Sequence, residues 1–212
     1  MQHLLEIMRQ LRAPNGCPWD QEQTHQSLRP YLLEEAAEAV DAISTGTPLE
    51  VAGELGDVLL QVAFHAVIAE ETGEYSYETI ENAIVEKLIR RHPHVFGDVI
   101  APDSAAVKKN WDEIKKLERG DKPEPHPAER VPRALGALAR GVEIHRALEV
   151  QKGSRESVLK VLESSSDDAQ GLADTLEAVI AWARSLKQNP EVLLRERLET
   201  RFREVVRESQ SA

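Results

Sequence analysis

The chain has 212 residues, 30% of them charged, and a formal net charge of −11. Its composition excludes a disordered protein, and the single cysteine, Cys17, excludes an internal disulfide and a cysteine-rich zinc site. Between residues 13 and 86 there are 15 acidic residues and one basic residue, which makes nucleic acid an unsuitable partner for that surface.

Start and stop signals divide the chain into helices, and no segment has the period-two alternation of a strand. The Thr47–Glu50 capping box and the Asn189-Pro190 pair mark two of the starts. Helices are predicted at residues 2–12, 25–44, 48–71, 76–92, 103–119, 128–150, 155–164, 169–187 and 190–208. The predicted fold is therefore all-α, a helical bundle.

The segment "GDKPEPHPAERVP" holds four of the eleven prolines, which predicts an extended linker at residues 121–132 between domains at 1–120 and 133–212. The two sides resemble each other, because "GELGDVLLQVAFHA" from Gly53 aligns with "QGLADTLEAVIAWA" from Gln170. An internal duplication is the simplest explanation. No run of about 18 apolar residues and no signal peptide is found, so we expect a cytoplasmic protein without a membrane partner.

The predicted helix at "YLLEEAAEAVDAI" is acidic without a basic residue among its acids. At 100° per residue, Glu34, Glu35 and Glu38 lie side by side on one flank, with Glu35 nearest the apolar face. Asp41 points further out, toward solvent. A solvated helix face is the alternative interpretation of these four acids.

The next predicted helix is apolar around nearly its whole surface and should be buried. Glu54, Asp57, Gln61 and His65 nevertheless form one polar stripe along it. We interpret Gln61 and His65 as core polar residues with satisfied hydrogen bonds. The two carboxylates need compensation, because burying an unpaired charge costs several kcal/mol.

A short turn joins these two helices, so they should pack antiparallel and bring the two acidic surfaces together. Neither helix offers a basic residue next to the acids. A hard divalent cation with oxygen ligands, Mg²⁺ or Mn²⁺, is the compensation that carboxylates favour.

Basic residues appear after the acidic region. Lys87 and Arg91 share one helix face, as do Trp111 and Lys115. Near a metal site they would stabilise charge on a phosphate chain. The alternatives are a surface salt-bridge face for the cations and a packing anchor for Trp111.

The pattern E-E-x-x-E, spacer, E-x-x-D resembles that of the all-α nucleoside triphosphate pyrophosphohydrolases. "GCPWDQEQT", "GELGDVLLQV", "RRHPHVF" and "NWDEIKK" resemble the MazG family specifically, and the resemblance covers residues 1 to 118. It implies a four-helix core, usually dimeric, that uses Mg²⁺ to hydrolyse nucleoside triphosphates to the monophosphate and pyrophosphate.

The resemblance also implies roles for single residues. Glu35, Glu38, Glu54 and Asp57 would be metal ligands, with Glu34 a further ligand or the base that orients water. Lys87, Arg91 and Lys115 would contact the triphosphate, and Trp111 would lie near the nucleotide.

The second half departs from the family pattern. The positions equivalent to Glu54 and Asp57 are Gly171 and Asp174, and no E-E-x-x-E precedes them. We therefore expect residues 133–212 to be a degenerate repeat that binds no catalytic metal and serves packing, dimerisation or regulation.

Two other functions compete with this interpretation. A di-iron oxidoreductase would need Glu-x-x-His on two helices, and the only instance is Glu22 to His25. A nucleotide sensor or metal-stabilised helical dimer without activity is the second. The sequence leaves open the preferred base and sugar, the number of metal ions, and whether substrates are canonical or damaged nucleotides.

Overall fold

The computed structural model describes residues 1–120 and 125–211, without the side chains of Arg119, Gln210 and Ser211. Within those ranges the regular structure is helical and contains no strand, so the all-α prediction is confirmed. The chain divides into two compact units, Met1–Lys122 and Pro123–Ala212.

The described part of the first unit contains seven helices: α1 (Gln2–Arg12), α2 (Pro18–Glu22), α3 (Arg29–Thr45), α4 (Pro48–Thr72), α5 (Tyr77–Arg91), α6 (Pro93–Phe96) and α7 (Ser104–Arg119). The helix predicted from residue 25 begins at Arg29, because Thr24 and Ser27 exchange backbone-to-hydroxyl hydrogen bonds that form a turn. The prediction missed α2 and α6, which are too short to show a helical period.

The core of the first unit forms where α1 crosses the second half of α4. Eight buried residues compose it: Leu5, Met8, Leu28, Ala63, Phe64, Ala66, Val67 and Ile68. Ion pairs from Arg9 to Glu70 and from Arg12 to Glu71 fasten α1 to the end of α4. This packing fixes α4, and α3 lies antiparallel to it across the turn at residues 46 and 47.

The first half of α4 is not buried as predicted. Leu55 is 50% exposed and Leu59 is 43% exposed. Because α1 and the start of α5 pack against the second half of the helix, the first half lies mainly against α3. The acidic part of the α4 stripe is therefore open to solvent on one side.

By length and composition alone, α4 could cross a membrane. This differs from the expectation that no segment has that character. Core helices of globular proteins pass the same test, and the stretch from Gln61 to Ala69 holds all the buried residues of α4. This stretch packs against α1, so α4 is a core helix of the first unit.

The capping box predicted for the start of α4 is present. The backbone N–H of Glu50 donates to the Thr47 hydroxyl at 3.4 Å, and the Glu50 carboxylate accepts from the Thr47 N–H at 2.7 Å. The helix that carries Glu54 and Asp57 therefore begins at a defined residue.

We expect Thr47→Ala to lower the free energy of unfolding of the first unit by about 1 kcal/mol, the usual cost of losing an N-cap hydroxyl. Urea denaturation followed by circular dichroism measures it. Ser44→Ala is the control, since it removes a hydroxyl that only contacts the preceding helical carbonyl of Val40. Equal midpoints for the two variants would contradict the prediction.

The second unit contains a 3₁₀ turn at Pro127–Arg130, then α8 (Ala137–Ala147), α9 (Arg155–Ser164), α10 (Ala169–Ser185) and α11 (Pro190–Ser211). The helix predicted at 128–150 is shorter, because Pro132 and Gly136 interrupt it. The predicted linker also needs correction. Residues 121–124 lie outside the described residues, but the 3₁₀ turn packs against α8 and Val131 is buried.

The packing order is the same in the two units. Helix α10 packs against α9 and α8, as α4 packs against α3 and α1. This parallel is what an internal duplication would leave, and the duplication itself remains a prediction.

Candidate functional site

Three carboxylates converge on the hairpin of α3 and α4. Glu35 and Glu38 lie one turn apart on α3, and Glu54 lies opposite on α4. Each offers a carboxylate oxygen, and these oxygens all lie within 4.8 Å of one another. The structure thus brings together three of the four predicted metal ligands.

The charges in this acidic cluster repel one another. Burial raises the pKa of Glu35, and the charges of Asp57, Glu38, Glu34 and Glu54 raise it further. The pKa of Glu54 is raised by burial, then by the charges of Glu38 and Asp57 and by a hydrogen bond with Glu38. Asp57 lies outside the tight group but is close enough to act on both carboxyls.

The donor set fits a hard divalent cation. All three groups are carboxylates; Glu35 and Glu54 are half-buried, and Glu38 is exposed. A cation between them would relieve the repulsion that raises the pKa values of Glu35 and Glu54. No histidine belongs to this group within the described residues. The di-iron alternative therefore gains no support, because it needs Glu-x-x-His donors.

These pKa shifts predict how the stability of the metal-free protein depends on pH. At pH values above 4.5, the ordinary pKa of a glutamate, the folded state holds more protons on Glu35 and Glu54 than the unfolded chain does. The free energy of unfolding should therefore fall as the pH rises from that value through the raised pKa values. A thermal-midpoint series in EDTA measures this fall.

His65 acts in the opposite direction, because burial and then the charge of His25 lower its pKa. The decrease of the thermal midpoint with rising pH is therefore compared between wild type and Glu54→Gln. The decrease should be smaller in Glu54→Gln. Identical slopes for the two proteins would contradict the prediction.

The polar stripe on α4 continues into the core. The Nδ1 atoms of His65 and His25 lie 2.7 Å apart, and the two rings stack with centres 5.0 Å apart. His65 is half-buried and its Nδ1 atom has a hydrogen-bond partner, so the interpretation holds for this atom. Gln61 is 4% exposed, and its Oε1 atom has no hydrogen-bond partner among the described residues, so that interpretation is wrong for this atom.

A basic cluster forms where α5 meets α7. The Arg91 guanidinium lies 5.7 Å from the centre of the Trp111 ring, and the Lys115 ammonium lies 5.6 Å from it. His92 contacts the ring edge at 5.2 Å between centres. Lys87 lies one turn before Arg91 on α5 and is exposed. Three of the four residues predicted to contact the nucleotide are therefore neighbours.

The sequence interpretation missed Arg90, His92 and Glu118 in this cluster. Glu118 on α7 binds both Arg90 and Arg91, with closest distances of 2.6 Å in each pair. Helical periodicity relates residues on one helix and carries no information about pairs 27 or 28 positions apart on two helices. The adjacent arginines at the end of α5 were the only available signal.

Comparison with known proteins adds to this geometry. The family model of the MazG nucleotide pyrophosphohydrolase domain matches residues 23–96. A nucleoside triphosphate pyrophosphohydrolase of Escherichia coli K12 is 38% identical over 226 aligned residues, which cover 96% of this chain and 86% of its own. The chain belongs to the MazG family. A MazG nucleoside triphosphate pyrophosphohydrolase/pyrophosphatase of Thermotoga maritima is 39% identical, over 92% of this chain and 79% of its own.

The two relatives align with both units, whereas the family model covers α3, α4, α5 and α6. The matched segment includes the acidic cluster and Arg91, and it ends before Trp111. The family resemblance found in the sequence is thereby confirmed.

The second unit of this MazG protein differs at the position that aligns with Glu54. Gly171 is buried at the start of α10, and a Cβ atom placed on it would lie 1.9 Å from the backbone oxygen of Ser166. No side chain fits there without moving the backbone. A carboxylate therefore cannot replace Gly171 in this backbone, and the absence of a catalytic metal from the second unit stays a prediction.

Proposed function

We propose that this chain is a Mg²⁺-dependent nucleoside triphosphate pyrophosphohydrolase, which releases a nucleoside monophosphate and pyrophosphate. The observation that carries the proposal is the convergence of Glu35, Glu38 and Glu54 in a protein of the MazG family. The relatives from Escherichia coli and Thermotoga maritima bear the name of this activity. Such an enzyme is a hydrolase acting on acid anhydrides.

The acidic cluster would hold the cation through Glu35, Glu38 and Glu54, with Asp57 as the fourth ligand. When bound, Mg²⁺, or Mn²⁺ in its place, would supply a water of lowered pKa and would neutralise charge on the phosphates. Glu34 is exposed beside Glu35 and is suited to orienting or deprotonating the water that attacks the α-phosphorus.

The basic cluster would bind the departing pyrophosphate. Arg91, Lys115 and Lys87 are cations that can stabilise negative charge as the bond to the α-phosphorus breaks. Trp111 offers an aromatic ring within the same cluster, which suits a position near the nucleotide.

A homodimer is part of the proposal. The α3–α4 hairpin provides two helices of a bundle, and five of its apolar side chains are between 43% and 83% exposed: Leu33, Ile43, Leu49, Leu55 and Leu59. Apolar surface of this extent on neighbouring helices marks an interface, and a second copy would supply the missing half of a four-helix bundle. The molar mass in solution, measured by light scattering, tests it.

We place the enzyme in the cytoplasm, where nucleoside triphosphates are found, and expect neither nucleic acid nor a membrane as a partner. The acidic surface of residues 13–86 disfavours both DNA and anionic lipid headgroups. Substrates would be ribo- or deoxynucleoside triphosphates, including non-canonical ones.

A pyrophosphate-release assay tests the activity. The purified protein is offered canonical, oxidised and deaminated triphosphates with Mg²⁺, and again with EDTA. Release of equal amounts of monophosphate and pyrophosphate with Mg²⁺ alone is the expected result. Nucleotide binding without release from any substrate would support the alternative function of a non-enzymatic sensor or metal-stabilised dimer.

A further inference from the structure

Glu118 makes the most extensive charged contact of the first unit's basic cluster. Its two carboxylate oxygens accept from Arg91 Nε at 3.2 Å and Arg91 Nη2 at 2.6 Å, and one of them also accepts from Arg90 Nε at 2.6 Å. The side chains of Glu118 and Arg91 are 20% and 18% exposed. This arrangement ties the end of α7 to the end of α5.

The contact fixes the orientation of the Arg91 guanidinium. Glu118 binds the edge that carries Nε and Nη2, and the group also lies 5.7 Å from the centre of the Trp111 ring. Nη1 donates no hydrogen bond within the described residues. An arginine side chain loses rotamer freedom when it is fixed, so ordering it before a ligand arrives lowers the cost of binding.

The local charge still favours an anion. One carboxylate is shared by Arg90 and Arg91, so this group of three keeps one excess positive charge. Hydrogen bonds from Arg91 and then Arg90 lower the pKa of Glu118 to about 2. Glu118 therefore stays ionised at any pH at which the enzyme would work.

We propose that Glu118 is a positioning residue, which holds Arg91 so that the free Nη1 edge of its guanidinium receives a phosphate oxygen of the nucleotide. The inference rests on the proposed function, because it requires Arg91 to contact the triphosphate. Glu118 itself touches no substrate and acts through Arg91.

Glu118→Gln tests the positioning role. It removes the charge and one acceptor oxygen, so Arg91 can leave the Trp111 ring. Pyrophosphate release is measured with saturating Mg²⁺ and the triphosphate that the wild type turns over fastest. We expect kcat/KM to fall by 10- to 100-fold, the order of the loss from about 1 Å of misplacement, with the thermal midpoint nearly unchanged.

The matched control is Glu113→Gln on the same helix, where the carboxylate meets only Lys109, at 4.0 Å and with both side chains exposed. Its kcat/KM should equal that of wild type. Glu118→Asp keeps the charge and should recover part of the activity that Glu118→Gln loses.

A double-mutant cycle separates positioning from general damage. Once Arg91→Ala has removed the side chain that Glu118 orients, adding Glu118→Gln should cost little more. A full additional loss in that background would overturn the inference, as would an unchanged or increased kcat/KM in Glu118→Gln alone. If the wild type releases no pyrophosphate at all, the proposed function itself has failed, and this inference fails with it.

Discussion

Glu54→Gln should abolish pyrophosphate release, by about 10³-fold or more, while raising the thermal midpoint of the metal-free protein. The loss of activity follows because Glu54 is the one carboxylate that α4 contributes to the group of oxygens within 4.8 Å. Removing even a partner that only touches a metal ligand costs 10- to 100-fold, and removing a ligand should cost more.

The gain in stability has the opposite sign because the cluster repels itself. Burial and the charges of Glu38 and Asp57 raise the pKa of Glu54, so its ionised form destabilises the folded state at neutral pH. A neutral amide of the same shape removes that repulsion. A variant that had lost its fold would lose both the activity and the thermal midpoint, whereas Glu54→Gln should lose only the activity.

The experiment compares pyrophosphate release and thermal midpoints, with and without Mg²⁺, for wild type, Glu54→Gln and a matched control. Asp41→Asn is that control, because Asp41 is an exposed acid on α3 that we place outside the site. Mg²⁺ should raise the midpoint of wild type and of the control but not of Glu54→Gln. If Glu54→Gln kept more than a tenth of the activity, the acidic cluster would not be the catalytic centre.

Residual activity in that variant would also implicate the second unit. We expect none from it, because Gly171 stands where the equivalent carboxylate would be.

Phe64→Ala should lower the free energy of unfolding of the first unit by about 3 to 5 kcal/mol, as expected for a buried aromatic side chain. Phe64 is 3% exposed and lies in the core between α1 and α4. Its ring also meets the edge of Trp19 at 6.3 Å between centres, and the Arg12 guanidinium lies 5.8 Å from its centre. The substitution leaves a cavity and removes both contacts.

Denaturant unfolding of the two proteins gives this difference. Ile100→Ala is the control, because Ile100 is 88% exposed and its truncation should change the free energy of unfolding by less than about 0.5 kcal/mol. The same loss in both variants would mean that the described core is not the stabilising one.

The α3–α4 hairpin and its acidic cluster could be predicted from the sequence for physical reasons. Caps and helical periodicity place Glu35 and Glu38 on one flank of α3. A two-residue turn makes α4 pack antiparallel to α3. Such local rules suffice when two helices are neighbours in the chain.

Contacts between helices distant in sequence could not be predicted in this way. The pairing of Glu118 with Arg91 and the stacking of His25 on His65 depend on the tertiary arrangement of segments that are distant in the sequence. The exposure of Leu55 and Leu59 was also beyond prediction, because an apolar helix surface looks the same whether its own chain or a second copy covers it.

Gly171 has a consequence for how the second unit could change over time. The backbone oxygen of Ser166 occupies the space that a Cβ atom would need, so a substitution that introduces a carboxylate here must also displace the preceding turn. A carboxylate at this position therefore requires at least two coordinated changes, one in the side chain and one in the turn. One substitution therefore cannot place a second acidic cluster here, and an engineered two-site enzyme would need a grafted turn as well as grafted carboxylates.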